Sequence, residues 1–386
     1  MSKLRIAILA TELKRPHPAG SQMLEVINYL SDEFDFHVFA ATIDDKIKDK
    51  VNFHKVNIPL FRPLLLRYIV QFFLFKRLIS KYKLLNKFDL VHSIEVTSPF
   101  AHIVTMQFCG CSYAKLLQNK IVRYDGFRSI YYPILNFYGT KFEKNLMSNP
   151  YLKTVVAVSG GLKNDLECCY GLKSIQVIPN AVDFGNTSEY NFSHAALNNN
   201  TNLIIGIIVA IGDWQRKGLD LLIKAVSLLK NKENLKIMII GKGPIDKYKN
   251  LCKKMNVSEN FDFLGFQNNL EFYYRSAHFF IFPSAFEAFP IVILEALYFG
   301  LPIVSTKING VDEVLVNEYN GLIIERNVID ISEKLQRIID EPQLLKQLAD
   351  RVHFDKSLYS IENISLNYKT LYYNSINYES NNMSNL

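Results

Sequence analysis

Cysteine is scarce in this sequence. The five cysteines among 386 residues are Cys109, Cys111, Cys168, Cys169 and Cys252. Their number is odd, and Cys109-x-Cys111 and the adjacent Cys168-Cys169 lack the two to four intervening residues usual in a zinc clamp, so reduced, mostly buried thiols are expected. The apolar stretch 60–83 is not a membrane span, because four charges break any run of about 20 residues in it. The opening "MSKLRIAILATEL" has too short an apolar run for a signal peptide and reads as a strand, so a cytosolic protein is expected. Zinc-finger spacing, RNA-binding signatures and heptads are all missing, which leaves the net charge of +7 without a nucleic-acid module. The first loop has no G-x-G-x-x-G, which disfavours an NAD-dependent dehydrogenase. No short-period repeat occurs.

What is present is an alternation. Apolar residues make up 49% and charged residues 21%, a globular composition, and the length suits two domains. Short apolar runs such as "LRIAILA" (4–10), "FHVFAAT" (36–42), "FDLVHSI" (88–94) and "HIVTMQF" (102–108) alternate with helical spacing as in "GSQMLEVINYLSDE" (20–33). "TVVAVSGGLKNDLECCYG" (154–171) reads as strand then helix, and "SIQVIPNAVD" (174–183) as strand then turn. After a polar, Asn-rich linker (185–202), the pattern restarts in "LIIGIIVAI" (203–211), "LDLLIKAVSLLKNK" (219–232), "LKIMIIGKG" (235–243), "HFFIFPS" (278–284), "LPIVSTK" (301–307) and "GLIIE" (321–325). Alternating strands and helices predict an α/β protein with parallel sheets. The expected division is 1–182 and 203–350 as two Rossmann-like domains facing across a cleft, 351–375 as a C-terminal helical segment, and 376–386 as a disordered tail. Residues 60–83, with Arg62, Arg67, Lys76, Arg77, Lys81 and Lys83 among long apolar side chains, predict either an amphipathic helix packed on a sheet or one lying on an anionic membrane surface.

Ligands of open α/β sheets bind outside the carboxyl ends of strands, and the polar motifs fall there. In "PSAFEAFPIVILEALYFGLPIV" (283–304), Pro290 suits a first helical position. Glu287 then precedes a helix and Glu295 sits on its second turn. The helix start offers unpaired N–H groups and a partial positive charge, an anion site. The two acids either bind sugar hydroxyls around a phosphate, or serve as a cap and as the partner of a buried cation. In "IGDWQRKGLDLLIKA" (211–225), Gly212 ends a strand, and Arg216 and Lys217 precede a helix. Two cations there suit a diphosphate or form a solvated basic turn. The glycines of "GKGP", Gly241 and Gly243, allow close approach of a base or ribose. Gly310 and Glu313 in "NGVDEVL" mark a further helix start.

Taken in order, "GDWQRKGLD", "GKGP", "FLGF", "PSAFEAFPIVILEALYFGLPIVST" and "GVDEVL" resemble the retaining nucleotide-sugar glycosyltransferases of the GT-B fold, family 4. "VAVSGGLKNDL" and "IQVIPNAVD" resemble that family's domain-closing strand and hinge. The resemblance covers most of 154–325, and implies that the terminal helix crosses back to the N-terminal domain. It assigns Glu295 to the nucleotide ribose, Glu287 to the donor sugar, and Arg216 and Lys217 to the donor diphosphate. Phe289, Pro290, Ile291 and Val292 line the donor sugar and phosphate. Ala288 and Pro290 replace the glycines usual there, and Pro290 removes one N–H donor.

The loop "TELKRPHPAGSQMLEV" (11–26) resembles the family's glycine loop, with Gly20 at the donor phosphate. "HSIEVTSPFAHIVTMQFCGCSYA" (92–114) is similar to the lipopolysaccharide-core hexosyltransferase branch. It places His102 near an active-site acid of that branch and Gln107 near a histidine of many relatives, with His92 and Glu95 as competitors. The resemblance implies transfer of a hexose or N-acetylhexosamine from a nucleotide sugar, UDP favoured, to a surface-glycan or lipid-linked acceptor. No cofactor or metal is expected, in keeping with the lack of an Asp-x-Asp motif. Peripheral contact with the cytoplasmic membrane through 60–83 is the remaining expectation for partners. A nucleotide-sugar epimerase, another GT-B enzyme and a non-catalytic nucleotide-sugar-binding subunit are the alternatives.

Overall fold

The apolar runs become parallel strands buried on both faces, as helix-covered sheets require. The computed structural model describes residues 3–15, 18–59, 63–124, 126–182, 203–210 and 212–383. The linker expected at 185–202 and Arg62 lie outside these.

In chain order the first elements are β1 (Leu4–Leu9), α1 (Pro18–Leu30), β2 (Phe34–Ala40), β3 (Asn52–Lys55), α2 (Leu64–Tyr82), α3 (Leu84–Lys87), β4 (Leu90–Ile94), β5 (Ile103–Met106), α4 (Gly110–Gln118), α5 (Arg128–Met147), β6 (Thr154–Ala157), α6 (Gly160–Tyr170) and β7 (Ile175–Val177). There follow β8 (Ile204–Val209), α7 (Leu219–Val226), β9 (Leu235–Ile240), α8 (Ile245–Lys254), β10 (Phe261–Gly265), α9 (Glu271–Ser276), β11 (Phe279–Phe282), α10 (Ile291–Tyr298), β12 (Ile303–Thr306), β13 (Gly321–Ile324), α11 (Val328–Asp340), α12 (Pro342–Ala349) and α13 (Ile361–Met383). Two units result: Met1–Gln118 with Tyr124–Asp183 and Ser357–Leu386, and Asn119–Arg123 with Phe184–Lys356.

The sheet of the first unit has the order β3-β2-β1-β4-β5-β6-β7, and that of the second β10-β9-β8-β11-β12-β13. Every pairing is parallel. Each order runs outward from its first strand, then reverses. The reversal lies between β1 and β4 in one unit and between β8 and β11 in the other, and it opens a crevice at the strands' carboxyl ends. Both units are thus Rossmann-like.

Within the first unit, α13 completes the core. Leu371 and Tyr372 are buried, and the Tyr372 hydroxyl hydrogen-bonds His92 Nδ1 at 2.9 Å. The other nitrogen of that ring meets Thr105 Oγ1 at 2.8 Å, and Thr105 meets the Tyr368 hydroxyl at 3.1 Å. Burial holds the His92 imidazole neutral, its pKa down at about 3. Helix α13 runs to Met383, well into the tail expected to be disordered. A helix already nucleated on packed turns extends one hydrogen bond per residue, without needing further apolar residues.

Two further expectations are corrected. Cys111 and Cys169 are disulfide-bonded. Pairing of β5 with β6 puts the following helices, α4 and α6, side by side, which brings together two cysteines that sequence spacing keeps apart. The apolar run after β8 leaves its helix at Val226 instead of continuing to residue 232. No helix among the described residues is long and apolar enough to cross a membrane.

Candidate active site

In the second unit the two loops that flank the sheet reversal, after β8 and after β11, are joined backbone to backbone. Ala285 N–H donates to Arg216 O at 2.8 Å. Gly218 makes this approach possible. Its φ is +77°, and a methyl group there would stand 2.2 Å from Pro283 O, so no side chain fits. Asp213 shapes the first loop, its side chain accepting the N–H of Arg216 three residues on at 3.1 Å. The second loop is anchored from β12: Ser305 Oγ donates to Phe282 O at 3.0 Å and Thr306 Oγ1 to Ser284 O at 2.6 Å.

This arrangement gathers three of the charged residues singled out in the sequence. Glu287 Oε1 accepts from Arg216 Nη1 at 2.8 Å, Lys217 Nζ at 2.9 Å and Ser284 Oγ at 3.2 Å. Arg216 Nη1 also donates to Phe286 O. Lys217 Nζ stands 4.7 Å from the centre of the Phe282 ring, a cation–π contact. Burial pushes the Glu287 carboxyl up, but the charges of Lys217 and Arg216 and their hydrogen bonds outweigh it, and the net shift is downward. Lys217 is displaced downward by burial, against the pull of Glu287. The cluster is two cations sharing one carboxylate, with a net positive charge.

Helix α10 begins at Ile291, and Pro290 is its N-cap (φ −78°, ψ 104°) instead of its first helical residue. The ring fixes φ in either position, so the sequence signal is off by one. The N–H groups of Ile291 and Val292 therefore lack acceptors in the helix's own ladder. Phe289 is buried beneath Gly310, whose φ is +79° and where a methyl group would lie 2.2 Å from the Phe289 ring. Residues 309–315 form turns and not a helix, so Glu313 does not begin one. Among the described residues, no cation pairs with Glu295. It accepts from the Tyr274 hydroxyl at 2.8 Å, and burial raises its pKa. Burial and then the charge of Glu295 push Tyr274 well above its ordinary value.

The glycines after the strands divide. Gly212 has φ +88° with open space on its Cβ side and donates to Lys242 O at 2.9 Å. Gly241 and Gly243 meet the protein itself. A methyl group on Gly241 would be 1.7 Å from Ala210 O, and one on Gly243 2.2 Å from the Trp214 ring. Trp214 is buried, its Nε1–H donating to Ala210 O at 3.0 Å. The close approach foreseen for a base or ribose is thus accounted for by internal packing.

One participant escaped the sequence reading. Arg326, just after β13, donates from Nη2 to Gln215 O at 3.0 Å and from Nη1 to Ile121 O at 3.1 Å. It holds the backbone immediately before Arg216 and Lys217. Burial lowers its pKa, against Asp220 and Asp213. A single arginine after a strand carries no pattern that sequence could reveal.

Gly20 and His102 belong to the first unit. Gly20 lies in α1 and is buried. Beside it, the Gln22 amide clamps Ala181, donating to its O at 2.8 Å and accepting its N–H at 2.7 Å. His102 stands at the amino end of β5, the edge opposite the strands' carboxyl ends. Its ring Nδ1 accepts the Val91 N–H at 3.2 Å, and it is buried. That position makes His102 a structural residue and corrects its expected catalytic role. Gln107, after β5, donates to Asn180 Oδ1 at 3.0 Å. Glu95, directly after β4, has φ +53°, an uncommon backbone for a residue with a Cβ.

Comparison with known proteins adds two family models. One, glycosyl transferases group 1, matches residues 192–353, and the other, Glycosyltransferase Family 4, matches residues 19–185. An uncharacterised glycosyltransferase of Haemophilus influenzae is 33% identical over 174 residues, 44% of this chain and 48% of the relative. The UDP-Gal:alpha-D-GlcNAc-diphosphoundecaprenol alpha-1,3-galactosyltransferase of Escherichia coli is 34% identical over 110 residues, 28% of each chain. The chain thus spans about half the length, or less, of these curated relatives. Among solved structures, WaaG, a glycosyltransferase involved in lipopolysaccharide biosynthesis, superposes with a TM-score of 0.69 at 15% identity over 90% of this chain and 94% of its own.

Proposed function

Because the chain belongs to the group 1, family 4 glycosyltransferases and has their GT-B fold, we propose that it moves a hexose or N-acetylhexosamine from a UDP-sugar to a surface-glycan or lipid-linked acceptor, with retention and without a metal. The observation that carries this reading is the pair Arg216 and Lys217, fixed by Glu287 between the loops after β8 and β11. Two cations of fixed geometry at a sheet reversal, near the start of α10, suit a diphosphate. The E. coli relative's name supports UDP as the carrier and a diphosphate-linked lipid as the acceptor.

In this mechanism the protein's work is electrostatic. As the bond between sugar and diphosphate stretches, negative charge grows on the leaving oxygen. Arg216, Lys217 and the N–H groups of Ile291 and Val292 stabilise it. Glu287 gives up part of its hold on the two cations and orients the sugar. The leaving phosphate takes the acceptor hydroxyl's proton on the same face, so configuration is retained. Glu295 is the ribose ligand, pre-oriented by Tyr274.

The test is a thermal-shift screen without metal against UDP, GDP, ADP and their common sugars. UDP and UDP-sugars are expected to raise the melting temperature. Lys217→Ala is expected to lower turnover at least a hundredfold, and EDTA to leave it unchanged. Normal turnover by Lys217→Ala, or loss in EDTA restored by a divalent ion, refutes the mechanism. UDP binding without turnover on any acceptor favours the non-catalytic alternative.

A further inference from the structure

Helix α5 carries an apolar stripe on its outside. Phe127, at its N-cap, is 78% exposed, Ile130 63% and Phe137 64%, with Ile134 and Tyr138 also exposed. Positions 127, 130, 134, 137 and 138 fall within about a third of the helical circumference. Such a stripe normally faces a core, yet here the core-facing residues of α5 are others: Glu143, Leu146 and Met147 are buried. An exposed, contiguous apolar patch of this kind marks an interaction site.

Its neighbour has the same character. Helix α2 lies beside α5, with the Phe72 and Phe142 rings stacked at 4.4 Å and the Leu65 N–H donating to the Tyr131 hydroxyl at 3.1 Å. It buries Phe72, Phe75 and Ile79 and exposes Leu66 and Phe73. This settles the two readings of 60–83 in part: one face packs inside the unit, while the other stays outside with its charges.

The charges on the two helices have one sign. Lys76, Arg77 and Lys81 on α2 and Arg128, Lys141 and Lys144 on α5 are exposed. Helix α2 has no acidic residue, and the only acid of α5, Glu143, is buried, both its oxygens accepting the Gly110 N–H at 3.0 Å. A partner protein seated by apolar contact does not require cations without a single exposed acid between them. An anionic lipid surface complements both features, with aromatic and aliphatic side chains entering the interface and Lys and Arg at the headgroups.

We infer that the outer faces of α5 and α2 form a docking surface for an anionic lipid bilayer, with the α5 stripe as its apolar anchor. This deepens the lipid-linked arm of the proposed function and rests on it for its biological sense. The measurement, however, needs neither donor nor acceptor, so it fails or succeeds independently of transfer.

The experiment is co-sedimentation of the full chain with vesicles of phosphatidylcholine alone and of phosphatidylcholine with phosphatidylglycerol, at low and high salt. Binding to the anionic vesicles, weakened by salt, is expected. Ile134→Asp with Phe137→Asp should reduce it at least tenfold, while Leu228→Asp, at an exposed site in the second unit, should not. Lys141→Glu with Lys144→Glu tests the charge separately, and stands in if the apolar variant fails to fold. No binding, binding unaltered by both double variants, or equal binding to neutral vesicles overturns the inference. So does a concentration-dependent dimer abolished by the apolar variant, which assigns the face to a second copy of the chain.

Discussion

Replacing Glu287 by Gln keeps the volume of the side chain and removes its charge, so it isolates what one carboxylate does for two cations. At the 2.9 Å separation of Lys217 and Glu287, and an effective dielectric constant of roughly 20, the gross attraction is about 6 kcal/mol. The cost of burying both charges opposes it. What a variant measures is the penalty of leaving a partner uncompensated, about 3–5 kcal/mol for a buried pair. Both side chains are well under a third exposed, 11% for Lys217 and 17% for Glu287, so solvent screening discounts little. For a unit of this size that loss lowers the melting temperature by roughly 6–20 °C.

The pH dependence distinguishes this from a mere packing defect. Glu287 titrates below its ordinary value in the fold. Its contribution is present above the unfolded value and lost as pH falls through the folded one, so E287Q loses that acid-side dependence. Lys217 titrates below its ordinary value because of burial, despite Glu287. Between its folded and unfolded values the unfolded chain binds more protons, so stability rises with pH there. Removing Glu287 lowers the folded value further and widens that window downward. The proposed mechanism requires Lys217 protonated, so the alkaline limb of kcat/KM should move to lower pH in E287Q. A pH profile of kcat/KM with an alkaline limb identical to that of the unsubstituted protein refutes the claim that Glu287 keeps Lys217 charged.

Tyr274→Phe removes the hydrogen bond that Tyr274 gives Glu295, a largely buried carboxyl, and should cost about 1–3 kcal/mol by urea denaturation; Glu295→Ala should instead weaken UDP binding, read by calorimetry. Arg326→Ala frees the backbone before Arg216, and is expected to lower kcat through loss of positioning; Lys restores charge but not the two-pronged geometry, so Arg326→Lys should rescue little. Reduction of the Cys111–Cys169 bond, which closes a loop of 58 residues, should cost about 4 kcal/mol on the chain-entropy account; equal denaturation midpoints with and without dithiothreitol refute the staple.

The interior of each sheet was legible because buried parallel strands leave unbroken apolar runs, as in "FFIF" (279–282) and "IIGIIV" (204–209). Strands β3, "NFHK", and β10, "FDFLG", were not, and both lie at sheet edges, where one side lacks a neighbour and polar residues interrupt the run. Glu287, Arg216 and Lys217 stood out singly as charges after strands. Their union depends on β8 and β11 being neighbours, a property of topology that links positions some seventy residues apart. His102 shows the reverse: its residue type suggested chemistry, and only the direction of β5 reveals that it stands at the wrong edge. Arg326, after β13, and the Cys111–Cys169 bond, set by the pairing of β5 with β6, likewise depend on topology and have no local pattern.

The place of α13 bears on synthesis. The unit begun by β1 is finished by a helix whose first residue is made 178 residues after Asp183. At roughly 5–20 residues per second that is an interval of about 10–35 s. Throughout it, the surface awaiting Leu371 and Tyr372 stays open on a nascent chain, while the later unit already has all its own strands. The usual order of co-translational folding, first domain first, is therefore inverted here. The second unit can close before the first, and chaperones that guard nascent apolar surface should engage the amino-terminal half longest.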